Sequence, residues 1–370
     1  MALLEVTGLQ VKFDTPEGEV QAVNGLDFSV DSGESLAIVG ESGAGKSQAV
    51  MAIMGLLAEN GSATGKAEFK GQDLMQMSRR ELNRIRGCEI AMIFQDPMTS
   101  LNPFLTIEKQ MVEVIKQHQS LRRDEARAHA VEMLRAVRIP APEERIKQYP
   151  HEFSGGMRQR VMIAMGLSCN PDMLIADEPT TALDVTTQAQ IMDLMFKLSE
   201  ERETAVLLIT HDLGVVAGFC DTVQVMYAGG IVEYGNVNDI YHDPQHPYTW
   251  GLLASMTRLD EDQRVRLHSI PGAPPSVIDL PVGCRFAPRC EFAIDICHRV
   301  LPMIHPIGDG VQQVACHRAE ELDLKTISTS EDEALTAEID GEASDTEQNT
   351  EDMALQDAVE ASDGIPGETP

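Results

Sequence analysis

The sequence predicts an α/β fold built on a doubly wound, largely parallel sheet, and three stretches carry that prediction. The apolar run Leu36-Ala37-Ile38-Val39 leads through Gly40-Glu41-Ser42-Gly43-Ala44-Gly45-Lys46-Ser47 into the helix-forming residues Gln48 to Leu57. A second run, Met173-Leu174-Ile175-Ala176, ends in two carboxylates, Asp177 and Glu178. The third, Ala205 to Ile209, delivers Thr210-His211-Asp212. Runs that are apolar without alternation suit strands buried on both faces. Ligands in such sheets gather at the carboxyl ends of the strands, which is where all three runs place their polar residues.

The stretch Gly40 to Ser47 has the form G-x-x-x-x-G-K-[ST] in the strand-to-helix context that a P-loop requires. Its glycines let successive backbone N–H groups turn inward around a phosphate, Lys46 supplies a cation for the β- and γ-phosphates, and the Ser47 hydroxyl can ligate Mg²⁺. Upstream, Leu4 to Phe13 alternates apolar and polar residues, and Val20 to Val30 repeats that character beyond Thr15-Pro16-Glu17-Gly18. Both read as strands of a sheet with one solvated face. Phe13 suits either a packed core or stacking on a purine, since every base offers a π-face.

Downstream, Ser78-Arg79-Arg80-Glu81 has the form of a capping box and opens a helix through Arg86. Glu89 to Phe94 reads as a buried strand that ends in Gln95-Asp96-Pro97, so Gln95 reaches the same edge and suits Mg²⁺ ligation or holding an attacking water. Residues 106 to 150 are mostly helical by period. Ser154-Gly155-Gly156 then starts a helix running to Leu167, with N–H groups and the positive dipole end aimed at an anion. An N-cap explains Ser154 but not two glycines in the first turn, each of which costs about 1 kcal/mol of helix propensity. Asp177 is placed for Mg²⁺ and Glu178 to polarise a water for in-line attack on a γ-phosphate. Thr181-Ala182-Leu183-Asp184 follows, before a helix from about Thr187 to Arg202.

Composition sets the outer limits. The chain has 370 residues, of which 43% are hydrophobic, enough for about two domains with a large core. No apolar run approaches the ~20 residues that span a bilayer, and Met1-Ala2-Leu3-Leu4-Glu5 lacks the form of a signal peptide, so a soluble cytosolic protein is expected. Of the net charge of -30, -16 falls between Ala319 and Pro370, on a segment poor in aromatic residues that should be disordered. The absence of a long basic stretch argues against a nucleic-acid partner.

Taken in order, the P-loop, Gln95, Ser154-Gly155-Gly156, Asp177-Glu178, Asp184 and His211 resemble the nucleotide-binding domain of an ATP-binding cassette (ABC) protein, over roughly residues 1–255. The resemblance implies a RecA-like P-loop NTPase core with an N-terminal antiparallel β subdomain and a helical subdomain around 97–160. It also implies a head-to-tail dimer in which the Ser-Gly-Gly helix of one domain caps ATP held by the other. By similarity Glu178 is the general base, His211 a γ-phosphate sensor, Gln95 a link to the transport machinery and Asp184 a contact across the dimer. Phe13 falls where the family places its adenine-stacking aromatic. The signature departs from the common Leu-Ser-Gly-Gly-Gln at its flanks, with Phe153 first and Met157 fifth.

Four further segments are similar to the D-type ATPase subunits of bacterial oligopeptide and dipeptide permeases: Ile93 to Pro103, Pro150-His151-Glu152-Phe153, His246-Pro247-Tyr248-Thr249 and Ile270 to Pro275. That likeness extends to about residue 320. It implies an ATPase on the cytoplasmic face of the inner membrane, paired with a second, different ATPase subunit. Two integral-membrane permease subunits and an extracytoplasmic peptide-binding protein would complete the importer. The other readings are a soluble ABC ATPase of DNA repair, chromosome organisation or translation, and the same importer type serving another substrate such as nickel. The ~110 residues between P-loop and signature are short for the coiled-coil arm that many soluble members carry.

Of seven cysteines, four cluster at Cys284, Cys290, Cys297 and Cys316, in an expected extension over 256–320 ahead of the acidic tail 321–370. In a reducing compartment such a cluster suggests a metal. Four thiolates suit tetrahedral Zn²⁺, with His298 and His317 as extra ligands, or an iron–sulfur cluster, and the short C-x₂₋₄-C knuckles usual for zinc are absent. Simply reduced thiols are the third reading. The family resemblance favours a structural [4Fe–4S] cluster.

Overall fold

In the computed structural model, residues 2–96, 100–181, 183–255, 270–308 and 310–324 are described. The expected acidic tail from residue 325 lies outside them, as do residues 97–99 of the Ile93 to Pro103 segment and Ala182.

Two sheets organise the chain. β1 (Leu4–Thr15) and β2 (Gly18–Val30) form an antiparallel pair, and β4 (Gly61–Phe69) with the short β5 (Gln72–Asp73) extends it, in the order β2-β1-β4-β5. This is the alternating, half-solvated sheet that the sequence predicts. The second sheet is centred on β3 (Ser35–Val39), flanked by β8 (Ala205–Thr210) and β9 (Thr222–Tyr227), both parallel to it. Beyond β8 follow β7 (Met173–Asp177) and β6 (Ile90–Ile93), also parallel.

Side chains of successive strand residues point to opposite faces, and both faces here are covered. From β3, Ala37 and Val39 enter one core while Leu36 and Ile38 enter the other. β7 divides in the same way, Leu174 and Ala176 against Met173 and Ile175. The second core is closed by β1, β2 and α1 (Lys46–Ile53), the helix that leaves the P-loop. α2 (Arg79–Ile85) begins with the expected capping box on Ser78 and Glu81.

The first core is closed by a helical group inserted between β6 and β7. It comprises α3 (Ile107–His118), α4 (Arg123–Ala136), the short α5 (Pro142–Arg145) and α6 (Gly155–Leu167). α7 (Val185–Glu200) links β7 to β8, and α8 (Leu213–Val216) leads from β8 towards β9.

The parallel sheet is finished by antiparallel strands. β10 (Gly230–Asn236) pairs with β9 and is followed by α9 (Val237–His242) and α10 (Pro247–Ala254). After residue 270 the chain returns to this edge, where β12 (Gln313–Val314) pairs with β10 and β11 (His305–Pro306) pairs with β12. The C-terminal extension therefore continues the main sheet. Among the described residues no helix is long and apolar enough to cross a membrane.

Candidate nucleotide site

The P-loop is clasped between two strands. A Cβ on Gly40 would lie 2.1 Å from the Met226 carbonyl oxygen of β9, and one on Gly45 2.1 Å from that of Ala22 in β2. Gly45 also holds φ +101° at the N-cap of α1, a conformation that residues with a Cβ rarely adopt. These two positions fix the loop's path against the sheet.

Lys46 is only 4% exposed, and its Nζ donates to the carbonyls of Gly40 at 2.6 Å and Glu41 at 3.0 Å. Burial pulls its pKa below the ordinary lysine value, with Glu178, Asp177 and Glu41 working the other way. Ser47 Oγ donates to Asp177 Oδ1 at 2.8 Å, which joins the start of α1 to the end of β7. Burial is the main cause that lifts Asp177 above the usual carboxylate range; the Ser47 hydrogen bond opposes it and the Glu178 charge adds to it. A hydroxyl and a carboxylate held together at a phosphate loop form an oxygen donor set that suits Mg²⁺.

Glu178 is the most constrained residue of the site. Its φ is +45°, its N–H donates to the Ile209 carbonyl at 2.8 Å, and its Oε2 accepts from Gln95 Nε2 and Thr181 Oγ1, each at 2.9 Å. His211 Nδ1 lies 3.4 Å from the other oxygen, Oε1. The ends of β6, β7 and β8 thus bring Gln95, Glu178 and His211 together, as their positions after apolar runs imply. A non-glycine residue at positive φ costs of order 1–3 kcal/mol, and such outliers cluster at functional sites.

The P-loop opens into a cavity of about 490 Å³ whose walls include Ser42 to Gln48, Gln95 and Glu178 at one end and Phe13, Val20 and Val277 elsewhere. Phe13 is half-buried, and its ring sits so close to β4 that a Cβ on Gly61 would fall 2.7 Å from it. Phe13 therefore both packs on the sheet and faces the cavity.

Ser154, Gly155, Gly156 and Asp184 form a second group, outside the walls of that cavity. Ser154 caps α6 by accepting from the Met157 N–H, and Asp184 caps α7 by accepting from the Thr187 N–H. The two caps adjoin. A Cβ on Gly156 would lie 3.0 Å from Thr187 Cγ2, and one on Gly155 3.6 Å from Leu183 Cδ2. Close packing thus supplies a reason for Gly156 that the sequence alone did not offer.

One feature of the loop was not legible in the sequence. Glu41 makes a two-point ion pair with Arg289, Oε2 to Nη1 at 2.9 Å and Oε1 to Nη2 at 3.1 Å, and its N–H donates to the Tyr248 hydroxyl at 2.9 Å. The Arg289 side chain is 6% exposed and lies over the rings of Tyr227 and Phe286. Nothing in the spacing of residues 41 and 289 signals this pair; only the cysteine-rich setting of Arg289 marked its neighbourhood.

Cys284, Cys290, Cys297 and Cys316 line one small cavity together with Phe286 and His317, whereas His298 lies outside its walls. The His317 ring is engaged with the Val300 carbonyl, Nε2 to oxygen 2.8 Å. Burial pushes the Cys290 thiol up to about 12 and the Cys316 thiol up to about 11, with the neighbouring cysteines adding to the effect. Among the described residues no group of three or more His, Cys, Asp or Glu is assembled to hold a metal ion. The four thiols thus converge on one cavity, while among the described residues no closed single-ion site is assembled. Tetrahedral Zn²⁺ with Zn–S of about 2.3 Å needs sulfurs about 3.8 Å apart.

Comparison with known proteins bears on both halves of the chain. The ABC transporter family matches residues 23–181, and the oligopeptide/dipeptide transporter C-terminal region matches residues 232–297. The oligopeptide transport ATP-binding protein OppD of Salmonella typhimurium is 55% identical over 301 residues, which is 81% of this chain and 90% of that protein. The chain belongs to the oligopeptide/dipeptide transport ATP-binding protein family. The dipeptide transport ATP-binding protein DppD of Bacillus subtilis, another member, is 52% identical over 302 residues, 81% of this chain and 90% of that one. Among solved structures, the ATP-binding cassette MJ0796, dimeric in a post-hydrolysis state bound to ADP and Pi, matches with a TM-score of 0.57 and 28% identity. It covers 63% of this chain and 98% of its own. Within the family frame, the P-loop, Ser154-Gly155-Gly156 and Asp177-Glu178 fall in the first matched region. Arg289 and three of the four clustered cysteines fall in the second.

Proposed function

We propose that this chain is the ATP-hydrolysing subunit of an ABC importer that carries oligopeptides or dipeptides across the bacterial inner membrane, working as a peripheral protein on the cytoplasmic face. The observation that carries the hydrolytic reading is the convergence of Gln95, Glu178 and His211 beside a P-loop whose Ser47 is already bonded to Asp177. The peptide reading rests on family membership across the cassette and the C-terminal region.

In this reading the P-loop N–H groups and Lys46 hold the phosphates of ATP, with Phe13 beside the base. Ser47, Asp177 and Gln95 would hold Mg²⁺, which when bound neutralises charge on the β- and γ-phosphates. Glu178 accepts a proton from the attacking water, so that ATP and water give ADP and phosphate, and His211 senses the γ-phosphate. Gln95 and Thr181 hold the Glu178 carboxylate in place for that task. Ser154, Gly155, Gly156 and Asp184, away from the chain's own P-loop, are free to serve the nucleotide of a second, different ATPase subunit in a head-to-tail pair. Two integral-membrane permease subunits and an extracytoplasmic peptide-binding protein complete the assembly, with no nucleic-acid partner. Residues 1–255 act as the nucleotide-binding domain with its helical subdomain at about 97–160, 256–320 as an extension and 321–370 as a solvating tail.

The four thiols take a structural [4Fe–4S] cluster in the same reading. Convergence of the four thiols on one cavity is the observation that supports it. Anaerobic purification followed by iron and sulfide analysis tests this, and a colourless, iron-free protein removes it.

Co-purification tests the function. A tagged chain drawn from detergent-solubilised membranes should bring down two membrane subunits and a second ATPase. Recovery with ribosomes or DNA in their place would overturn the importer reading in favour of a soluble ATPase.

A further inference from the structure

The P-loop cavity has a wall that none of the cassette motifs supplies. Val277 lines it beside Phe13 and Val20, carried on a strap, residues 270–280, that belongs to the C-terminal extension. Most of the strap is exposed, including Pro271 to Pro274 and Ser276, but Val277 is half-buried. Two sets of bonds hold the strap in place.

At one end it is stitched to β2. The Gln21 N–H donates to the Val277 carbonyl at 3.0 Å, and Ile278 packs so close that a Cβ on Gly18 would lie 3.2 Å from its Cγ2. At the other end Arg289 holds it to the P-loop. Arg289 Nε donates to the Pro271 carbonyl at 2.9 Å and Nη2 to the Ile270 carbonyl at 3.5 Å, while the same guanidinium grips both oxygens of Glu41. A guanidinium fork can serve a carboxylate and a backbone carbonyl at once because its donors lie in one plane; an ammonium has no such plane.

The cavity is polar along Ser42 to Gln48, Gln95 and Glu178, while the rest of its wall is mainly apolar, with Phe13, Val20, Ala22 and Val277 beside Thr15 and Asn60. That division suits a ligand with a charged phosphate end and a flat, apolar-faced base. We propose that the strap is part of the base subsite, with Val277 touching the base and Arg289 the positioning residue that locks the strap to the P-loop through Glu41. The inference rests on the ATP-binding reading above. It makes nucleotide affinity, rather than the hydrolytic step, the property that the C-terminal extension controls within its own chain.

The test compares equilibrium binding of MgATP with that of magnesium tripolyphosphate, which has the phosphates but no base, on the full chain. Val277→Ala removes two methyl groups from the wall and should weaken MgATP about fivefold while leaving tripolyphosphate within about twofold. Val277→Thr, which keeps the shape and so guards against misfolding, should weaken MgATP about threefold with the same selectivity. Arg289→Lys keeps the charge but loses the fork, and should raise KM for ATP about fivefold with kcat within about twofold. Adding Val277→Ala to Arg289→Lys should cost less than about a further twofold, because a loosened strap no longer presents Val277. Equal weakening of both ligands, no change with either, a fall in kcat at constant KM, or losses that multiply in the double variant would overturn the proposal. Wild-type protein that binds tripolyphosphate and MgATP equally would overturn it too, whereas wild-type protein that binds neither would overturn the ATP-binding reading beneath it.

Discussion

Replacing Glu178 with Gln separates chemistry from binding at this site. The amide keeps an oxygen that can accept from Gln95 and Thr181, which now bond to the carboxylate at 2.9 Å each, so the local frame should persist. In its proposed role as general base, what is lost is proton acceptance, worth about 10²–10⁴-fold for a positioned base. The phosphate cradle is built from Gly40 to Ser47 and is untouched, so MgATP affinity should stay within about twofold. The assay is single-turnover phosphate release at saturating MgATP beside equilibrium displacement of a fluorescent nucleotide. A companion, Glu178→Gly, should also lose turnover while relieving the +45° φ, a gain of about 1–2 kcal/mol in unfolding free energy relative to Glu178→Ala. Turnover of Glu178→Gln within about tenfold of wild type would refute the assignment, because a base worth so little is no base. A loss of affinity that matches the loss of turnover would move Glu178 from chemistry to binding.

Other sites give independent checks. Lys46→Ala removes the buried cation of the loop and should weaken MgATP about 10- to 100-fold by equilibrium binding, the scale of a charge-assisted hydrogen bond. His246 is fully buried, its Nδ1 accepts from the Tyr248 N–H at 3.0 Å, and burial holds its pKa down to about 3 from 6.5. Because the folded pKa is depressed, its contribution is complete above pH 6.5 and is lost as pH falls, at about 1.4 kcal/mol per unit between 6.5 and 3. His246→Asn retains a capping acceptor without titrating there, so thermal unfolding from pH 7 to 4.5 should show a flatter acid slope than wild type. Glu233, raised to about 7 mainly by burial, has the opposite sign and accepts from the His246 N–H at 3.0 Å, so Glu233→Gln in both backgrounds isolates the histidine's share. Deleting residues 325–370 should leave peptide uptake unchanged in a transport assay.

The parts legible in the sequence are those where burial and chemistry act locally. β3, β7 and β8 show as unbroken apolar runs because both faces of each strand enter a core. The P-loop, Gln95, Glu178 and His211 could be read because each follows directly on such a run. Helix limits were less legible: the helix expected from Thr187 starts at Val185, two residues earlier, because Asp184 is its cap. What stayed hidden depends on residues far apart in the chain. The Arg289 grip on Glu41, the Val277 wall, and the pairing of Gln313 and Val314 with β10 leave no periodic trace, since two-residue strands and single side-chain contacts have no pattern to repeat. Gly156 stands out in the sequence as a glycine that is costly in a first helical turn, but its closeness to Thr187 exists only in the fold.

In the proposed importer, ATP turnover at Glu178 drives peptide movement across a membrane. Its most direct measurement is uptake of a labelled tripeptide into proteoliposomes that contain this chain, the proposed second ATPase, the membrane subunits and the peptide-binding protein. Uptake should require MgATP and this chain, and should be lost with Glu178→Gln. Uptake that persists with Glu178→Gln, or ATP hydrolysis by the intact assembly without any peptide movement, would contradict it.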